Sequence, residues 1–170
     1  MGYGIYESPL GSILLISDNN CLTGLYLQAQ APQLLAYATK NSADPVLRKA
    51  SQWLDSYFAG KNPSSNNMPL SPSGTPFQQK VWQMLLQIPY GQTVTYSQIA
   101  KQFSGTMSAQ AVGQAVGKNP ISIIIPCHRV LGAGHRLTGY AGGIEAKVWL
   151  LKHEGFDPKS FIYPKKYRGK

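Results

Sequence analysis

The sequence predicts an α+β protein in two parts: a small amino-terminal domain of antiparallel strands and one helix, then a mostly helical carboxy-terminal domain. Three observations carry this. Short apolar runs of strand type crowd the first 27 residues, capped amphipathic helical patterns recur from Asp44 onward, and a stretch rich in Pro, Ser and Asn from Lys61 to Gly74 lies between the halves. The expected domains are therefore 1–74 with its linker and 75–158, followed by a basic tail over 159–170.

Ser12–Ser17 and Leu22–Leu27 are apolar runs joined by Asp18-Asn19-Asn20, which reads as a β-hairpin. Asp44 offers an N-cap and Pro45 a first helical residue. Leu47, Leu54 and Phe58 then recur at near-helical spacing until Gly60. A second helix opens at Thr75-Pro76 with the stripe Phe77, Val81, Leu85, Ile88 and ends at Pro89-Tyr90-Gly91. Thr95 and Gln98 form a capping box for a short helix reaching about Phe103, and Ser108 caps another from Ala109 to about Lys118. Two short helices around a Gly-containing turn can form a helix-turn-helix. Ile121–Ile125 is a β-branched run that reads as a buried strand or extended segment, leading into Pro126-Cys127-His128-Arg129-Val130. A last helix spans Glu145–Glu154 and stops at Gly155. The tail from Lys159 carries five positive residues and no acid, so partial disorder is expected there.

Hydrophobic residues make up 43% of the 170, enough for real cores, which argues against a disordered chain. No stretch approaches the roughly 20 apolar residues of a membrane span, and the first residues lack the features of an export signal, so a cytoplasmic protein is expected, or a nuclear one in a eukaryote. Only Cys21 and Cys127 occur, which leaves a free thiol in place of a disulfide framework. The three histidines and two cysteines never approach a paired ligand spacing, so no metal site is expected, and no cofactor. The net charge of +9 belongs entirely to the second half. Four basic residues meet four acids up to Gly74, whereas twelve meet three from Thr75 onward. Such asymmetry suits a polyanion, because each neutralised phosphate releases counterions and adds affinity independent of sequence.

A thiol beside an imidazole is the barest constellation for nucleophilic sulfur. In an extended strand Cys127 and His128 would point to opposite faces, so contact needs a turn at Pro126 or a bridging water. A small buried packing cysteine is the other reading of the same spacing. His135 and Arg136 sit in a Gly-rich loop as a phosphate contact or a solvated turn, His153 reads as a surface residue, and Cys21 as a packing residue.

The run Gly117-Lys118-Asn119-Pro120 to Ile125-Pro126-Cys127-His128-Arg129-Val130 resembles the O6-alkylguanine-DNA alkyltransferase family. So do Gly139-Tyr140-Ala141-Gly142-Gly143 and Lys147–Gly155. The resemblance covers Thr75 to Phe156; before Gly74 only Ser8-Pro9-Leu10-Gly11 and the general pattern match. It implies a ribonuclease H-like first domain, a winged helix-turn-helix second domain, and a single irreversible transfer of an alkyl group from O6-alkylguanine in double-stranded DNA. O4-alkylthymine is a further candidate substrate, and a monomer without an obligate protein partner is implied. For the site it implies Cys127 as thiolate nucleophile and alkyl acceptor, His128 as its activator through water, Glu154 orienting the imidazole and Asn119 bracing the turn. Tyr96 and Lys147 would supply a proton or stabilise charge at the departing guanine.

On the DNA side the resemblance implies a helix with Ala109, Gln110, Ala111 and Gly113 lying in the minor groove of a duplex from which the base is flipped. Ser97, Lys118, Arg129 and Tyr140 are further DNA-contact candidates. Gln110 stands where the family commonly has an Arg that enters the base stack, and Ala141 where a Ser hydroxyl often lies near the base. A non-catalytic lesion-binding module and a cysteine hydrolase using Cys127, His128 and an acid are the competing readings.

Overall fold

The computed structural model describes residues 1–27 and 37–167, and the chain divides into two compact units. The first comprises Met1–Gly74 and Pro120–Ile124, the second Thr75–Asn119 and Ile125–Lys170.

The first unit is built on strands β1 (Gly2–Ser8), β2 (Gly11–Asp18), β3 (Cys21–Leu27) and β4 (Thr39–Lys40), in the order β3-β2-β1-β4. The expected hairpin is β2–β3. Its two-residue turn places Asn19 and Asn20 at φ 49° and 60°, which matches the twist of the flanking strands and suits asparagine. Strand β1 was not anticipated, because its Gly-Tyr-Gly-Ile-Tyr sequence leaves it half-exposed with no continuous apolar run. β4 pairs with β1 in parallel. Helix α1 (Pro45–Phe58) starts as expected, with Asp44 Oδ1 accepting from the Val46 and Leu47 amides at 2.7 and 3.4 Å. Asp44 also accepts from Ser17 Oγ at 2.6 Å, which ties the helix start to β2. Val46, Leu47, Ala50, Leu54 and Tyr57 are its buried residues; Phe58 instead stacks on Tyr6 at the rim.

The stretch 121–125 is neither the strand nor the extended segment expected. Its residues are buried, but the chain turns: the Ile124 amide donates to Ser122 O at 2.8 Å and Ile123 has φ 69°. Such a three-residue turn is strained for a β-branched residue. It persists because the stretch is anchored in its unit, where the Leu25 amide donates to Pro120 O and the Ser122 amide to Leu25 O.

In the second unit both capping boxes form, Thr75 with Gln78 at the start of α2 (Pro76–Leu85) and Thr95 with Gln98 at the start of α3 (Tyr96–Ala100). Ser108 caps α4 (Ala109–Gly117), whose Val112 and Val116 are buried. Trp82, absent from the expected stripe, is buried and donates from Nε1 to Ala115 O at 2.9 Å, so it pins α2 to α4. The short parallel pair β5 (Val94–Thr95) and β6 (Val130–Leu131) and helix α5 (Ile144–His153) complete the unit. The tail departs from expectation up to Tyr167. Phe161 is buried with Leu131, Leu137 and Leu151, and the Leu137 amide donates to Ile162 O at 2.9 Å. Its aromatic residues, rather than its charge, decide this; Arg168–Lys170 lie outside the described residues.

Candidate active site

Pro126, at φ −81° and ψ 64°, forms an inverse γ-turn closed by the Cys127 amide donating to Ile125 O at 2.8 Å. A single 3-10 turn, Cys127–Arg129, follows. This turn, in place of extended chain, separates the directions of three consecutive side chains. Asn119 fixes it from the end of α4, donating from Nδ2 to Ile125 O at 2.9 Å.

Cys127 is 4% exposed and faces a cavity of about 30 Å³ that Asn119, Tyr96, Gly113 and Tyr140 also line. A wider cleft of about 640 Å³ shares Tyr96, Gly113, Gly117, Gly139, Tyr140 and Ala141 with it, so the small cavity is its floor. The cleft walls are the exposed side of α4 and the loop Thr138–Ala141. Glycine at 113 and 117 and alanine at 109 keep that side of the helix thin, which gives a flat ring system room to approach the sulfur.

His128, next in the chain, is fully buried, with Nε2 2.7 Å from Glu154 Oε1. Glu154 also accepts from Arg129 Nε at 2.9 Å, Arg129 Nη2 at 3.0 Å and the Gly91 amide at 3.1 Å. Arg129 Nη1 donates to Ile88 O at 2.7 Å, and its guanidinium lies over the Tyr90 ring. These donors hold the Glu154 carboxyl at about 2 even though burial pushes the other way. Burial lowers the His128 pKa more than Glu154 raises it, so the imidazole is neutral at pH 7. Facing an acceptor-only carboxylate, Nε2 carries the proton, and Nδ1, which has no hydrogen-bond partner among the described residues, keeps its lone pair.

Burial pushes the Cys127 thiol up, against hydrogen bonds from the Asn119 and Tyr140 side chains and the charge of Lys147. Burial therefore favours the protonated thiol in the resting site, so that the thiolate the resemblance implies has to form against it. Ionisation must accompany the reaction, and a neutral buried imidazole is suited to assist it. Lys147 is 1% exposed, donates to Val130 O at 2.7 Å, and is brought down to about 8 by burial.

The structure thus gathers Cys127, Asn119, Tyr96, Tyr140 and Lys147 around one cavity or its charge field, and joins His128 to Glu154. Ala109 and Gln110 line the cleft; Ala111 is half-buried, and Ser97 and Lys118 are exposed but line neither cavity. Arg129 is corrected. Its guanidinium is turned inward onto Glu154 and Ile88, so it is a structural cation rather than a phosphate contact. Sequence reasoning missed Thr138 and Gln114 on the cleft wall. Gln114 follows Gln110 by one helical turn and could have been found by that spacing; Thr138 has no local signal.

A pH dependence follows. Glu154 and His128 both have folded pKa values below their unfolded ones, so each contributes stability above its unfolded value and loses it as pH falls toward the folded one. Unfolding free energy measured in denaturant should decline below pH about 6.5 through His128, and again from about 4.5 toward 2 through Glu154. The Glu154 part is on the order of 3 kcal/mol. A flat profile from pH 7 to 3 would contradict the buried pair.

Residues 76–156 match the DNA-binding domain, and residues 1–72 the ribonuclease-like domain, of 6-O-methylguanine DNA methyltransferase. The chain belongs to the 6-O-methylguanine DNA methyltransferase family. A methylated-DNA–protein-cysteine methyltransferase of Methanosarcina acetivorans is 44% identical over 155 residues, covering 91% of this chain and 99% of that protein. One from Haemophilus influenzae is 42% identical over 152 residues, covering 89% and 85%. The crystal structure of Mycobacterium tuberculosis OGT in complex with DNA superposes with a TM-score of 0.83 at 42% identity, covering 91% of this chain and 93% of that one. The α+β architecture of mixed sheet and helical domain is shared with that structure. Among the described residues no helix is long and apolar enough to cross a membrane.

Proposed function

We propose that Cys127 Sγ is the atom that accepts the alkyl group of O6-alkylguanine in DNA, once per molecule. The observation that carries the reading is a buried thiol on the floor of a cleft wide enough for a purine, with a neutral imidazole following it in sequence. The sulfur attacks the alkyl carbon, the S–C bond forms as the C–O6 bond breaks, and the electron pair stays on the purine. The thiol proton passes to His128 Nδ1 through a water molecule, while Glu154 stabilises the imidazolium. Tyr96 donates a proton to the departing purine, and Lys147 supports the negative charge that crosses the cavity.

For a free cysteine near pKa 8.5, complete ionisation at neutral pH would gain only about thirtyfold. Burial makes the Cys127 proton harder to lose, so His128 has to take it as the reaction proceeds, and alignment of sulfur behind carbon supplies about 7–11 kcal/mol beside that. The lesion must therefore leave the duplex stack to reach the cleft, at a cost of a few kcal/mol. Ala109, Gln110 and Gly113 would meet the minor groove, with Ser97 and Lys118 beside them at the backbone. A neutral Gln110 supplies hydrogen bonds but no cation to the gap left by the base. We infer a monomer that needs no protein partner or cofactor and works on double-stranded DNA in the cytoplasm, or in the nucleus of a eukaryote.

Incubation with a duplex holding one O6-methylguanine should add one methyl group to the peptide containing Cys127, restore guanine, and stop after one equivalent. Unmodified peptide beside unrepaired DNA would end the reading; multiple turnovers on an ester or peptide would favour a hydrolase instead.

A further inference from the structure

Tyr96 lines both the cavity at Cys127 and the wider cleft, and its phenol oxygen lies 2.7 Å from Thr138 Oγ1. Thr138 belongs to the loop that continues into Gly139 and Tyr140 and itself lines the cleft. The contact therefore joins the first residue of α3 to the opposite wall, forty-two positions away in sequence.

A phenol has one proton and two in-plane directions in which to aim it. Burial keeps Tyr96 protonated, so it can serve as a donor. The Lys147 ammonium, 6.0 Å from the ring centroid, faces the π-surface and does not orient the hydroxyl. If Tyr96 spent its proton on Thr138, none would remain for a ligand. If Thr138 donates instead, the phenol oxygen is satisfied, its own O–H is strengthened as a donor, and that proton stays available to a ligand in the cleft that Tyr96 lines.

We propose that Thr138 is a positioning residue whose hydroxyl donates to Tyr96 and so turns the phenol proton toward the departing purine. The inference rests on the alkyl-transfer reading above. As the C–O6 bond breaks, the electron pair enters the purine ring system, and a preorganised donor aimed there gains strength in the transition state. Tyr96 then gives its proton to the purine and recovers one from solvent through the open cleft. Thr138 touches neither the sulfur nor the alkyl group.

The test uses the full chain with Thr138→Val, which keeps the shape and loses the hydroxyl, and Thr138→Ser, which keeps the hydroxyl. Single-turnover transfer to Cys127 should slow about tenfold in Thr138→Val, the loss of one hydrogen bond, and stay near wild type in Thr138→Ser. In a Tyr96→Phe background Thr138→Val should cost nothing further, because the group it positions is gone. With 13Cζ-labelled tyrosine and no DNA present, the Tyr96 ionisation should move upward in Thr138→Val and not in Thr138→Ser. Equal rates for Thr138→Val and wild type, a Thr138→Ser as slow as Thr138→Val, an undiminished cost in the Tyr96→Phe background, or an unmoved phenol would each overturn the proposal. A wild-type protein that transferred nothing would instead fail the functional reading, before any variant was compared.

Discussion

A Cys127→Ser protein is expected to bind duplex DNA carrying O6-methylguanine about as well as wild type and to leave the lesion in place. The oxygen occupies nearly the same space on the cavity floor, and the cleft residues that would meet DNA are untouched. A hydroxyl, with a pKa close to that of water, offers roughly seven orders of magnitude less ionised nucleophile than a thiol. Neutral His128 cannot make up that difference, since general-base assistance is worth about 10²–10⁴. Transfer should therefore fall by at least about 10³-fold, below detection in a one-equivalent assay. Anisotropy of labelled duplex reads the binding and peptide mass reads the transfer. Repair by the variant would move the acceptor elsewhere, with Cys21 the remaining thiol, and the assignment of Cys127 would be lost.

The largest effect on stability is expected at Glu154. Glu154→Ala strips the acceptor from the Arg129 guanidinium, the His128 Nε2–H and the Gly91 amide together, all within the second unit. Leaving a buried cation without its partner costs about 3–5 kcal/mol. For a chain of this size that is a fall in Tm on the order of 10 °C. Glu154→Gln keeps an acceptor oxygen and should lose less. Adding Arg129→Leu to Glu154→Ala removes the orphaned charge and should recover much of the Tm without recovering transfer, since His128 stays unoriented. Calorimetry and the transfer assay together decide the point: a Glu154→Ala protein melting like wild type would show that Arg129 finds solvent, and that the network is not closed.

Several features were legible because their causes are local. The caps at Asp44, Thr75, Thr95 and Ser108 act within three residues, and Asn19-Asn20 carries its own turn preference. Ile121–Ile125 misled for the same reason. Its β-branched residues favour a strand locally, but hydrogen bonds to Leu25 hold a strained turn that no local signal announces. Arg129 misled because a cation in a basic half reads as a phosphate contact until its partner is known.

By itself the sequence determined the division into an apolar stranded part and a capped helical part, the basic bias of the second, and the pairing of one free thiol with a neighbouring imidazole. These depend on side-chain chemistry and on spacing along the chain. Tertiary structure alone decided that Arg129 faces inward, that burial favours the protonated form of the Cys127 sulfur, and that Thr138 reaches Tyr96. Each is set by desolvation or by groups more than twenty residues distant in sequence, and both arise only once the chain has folded around them.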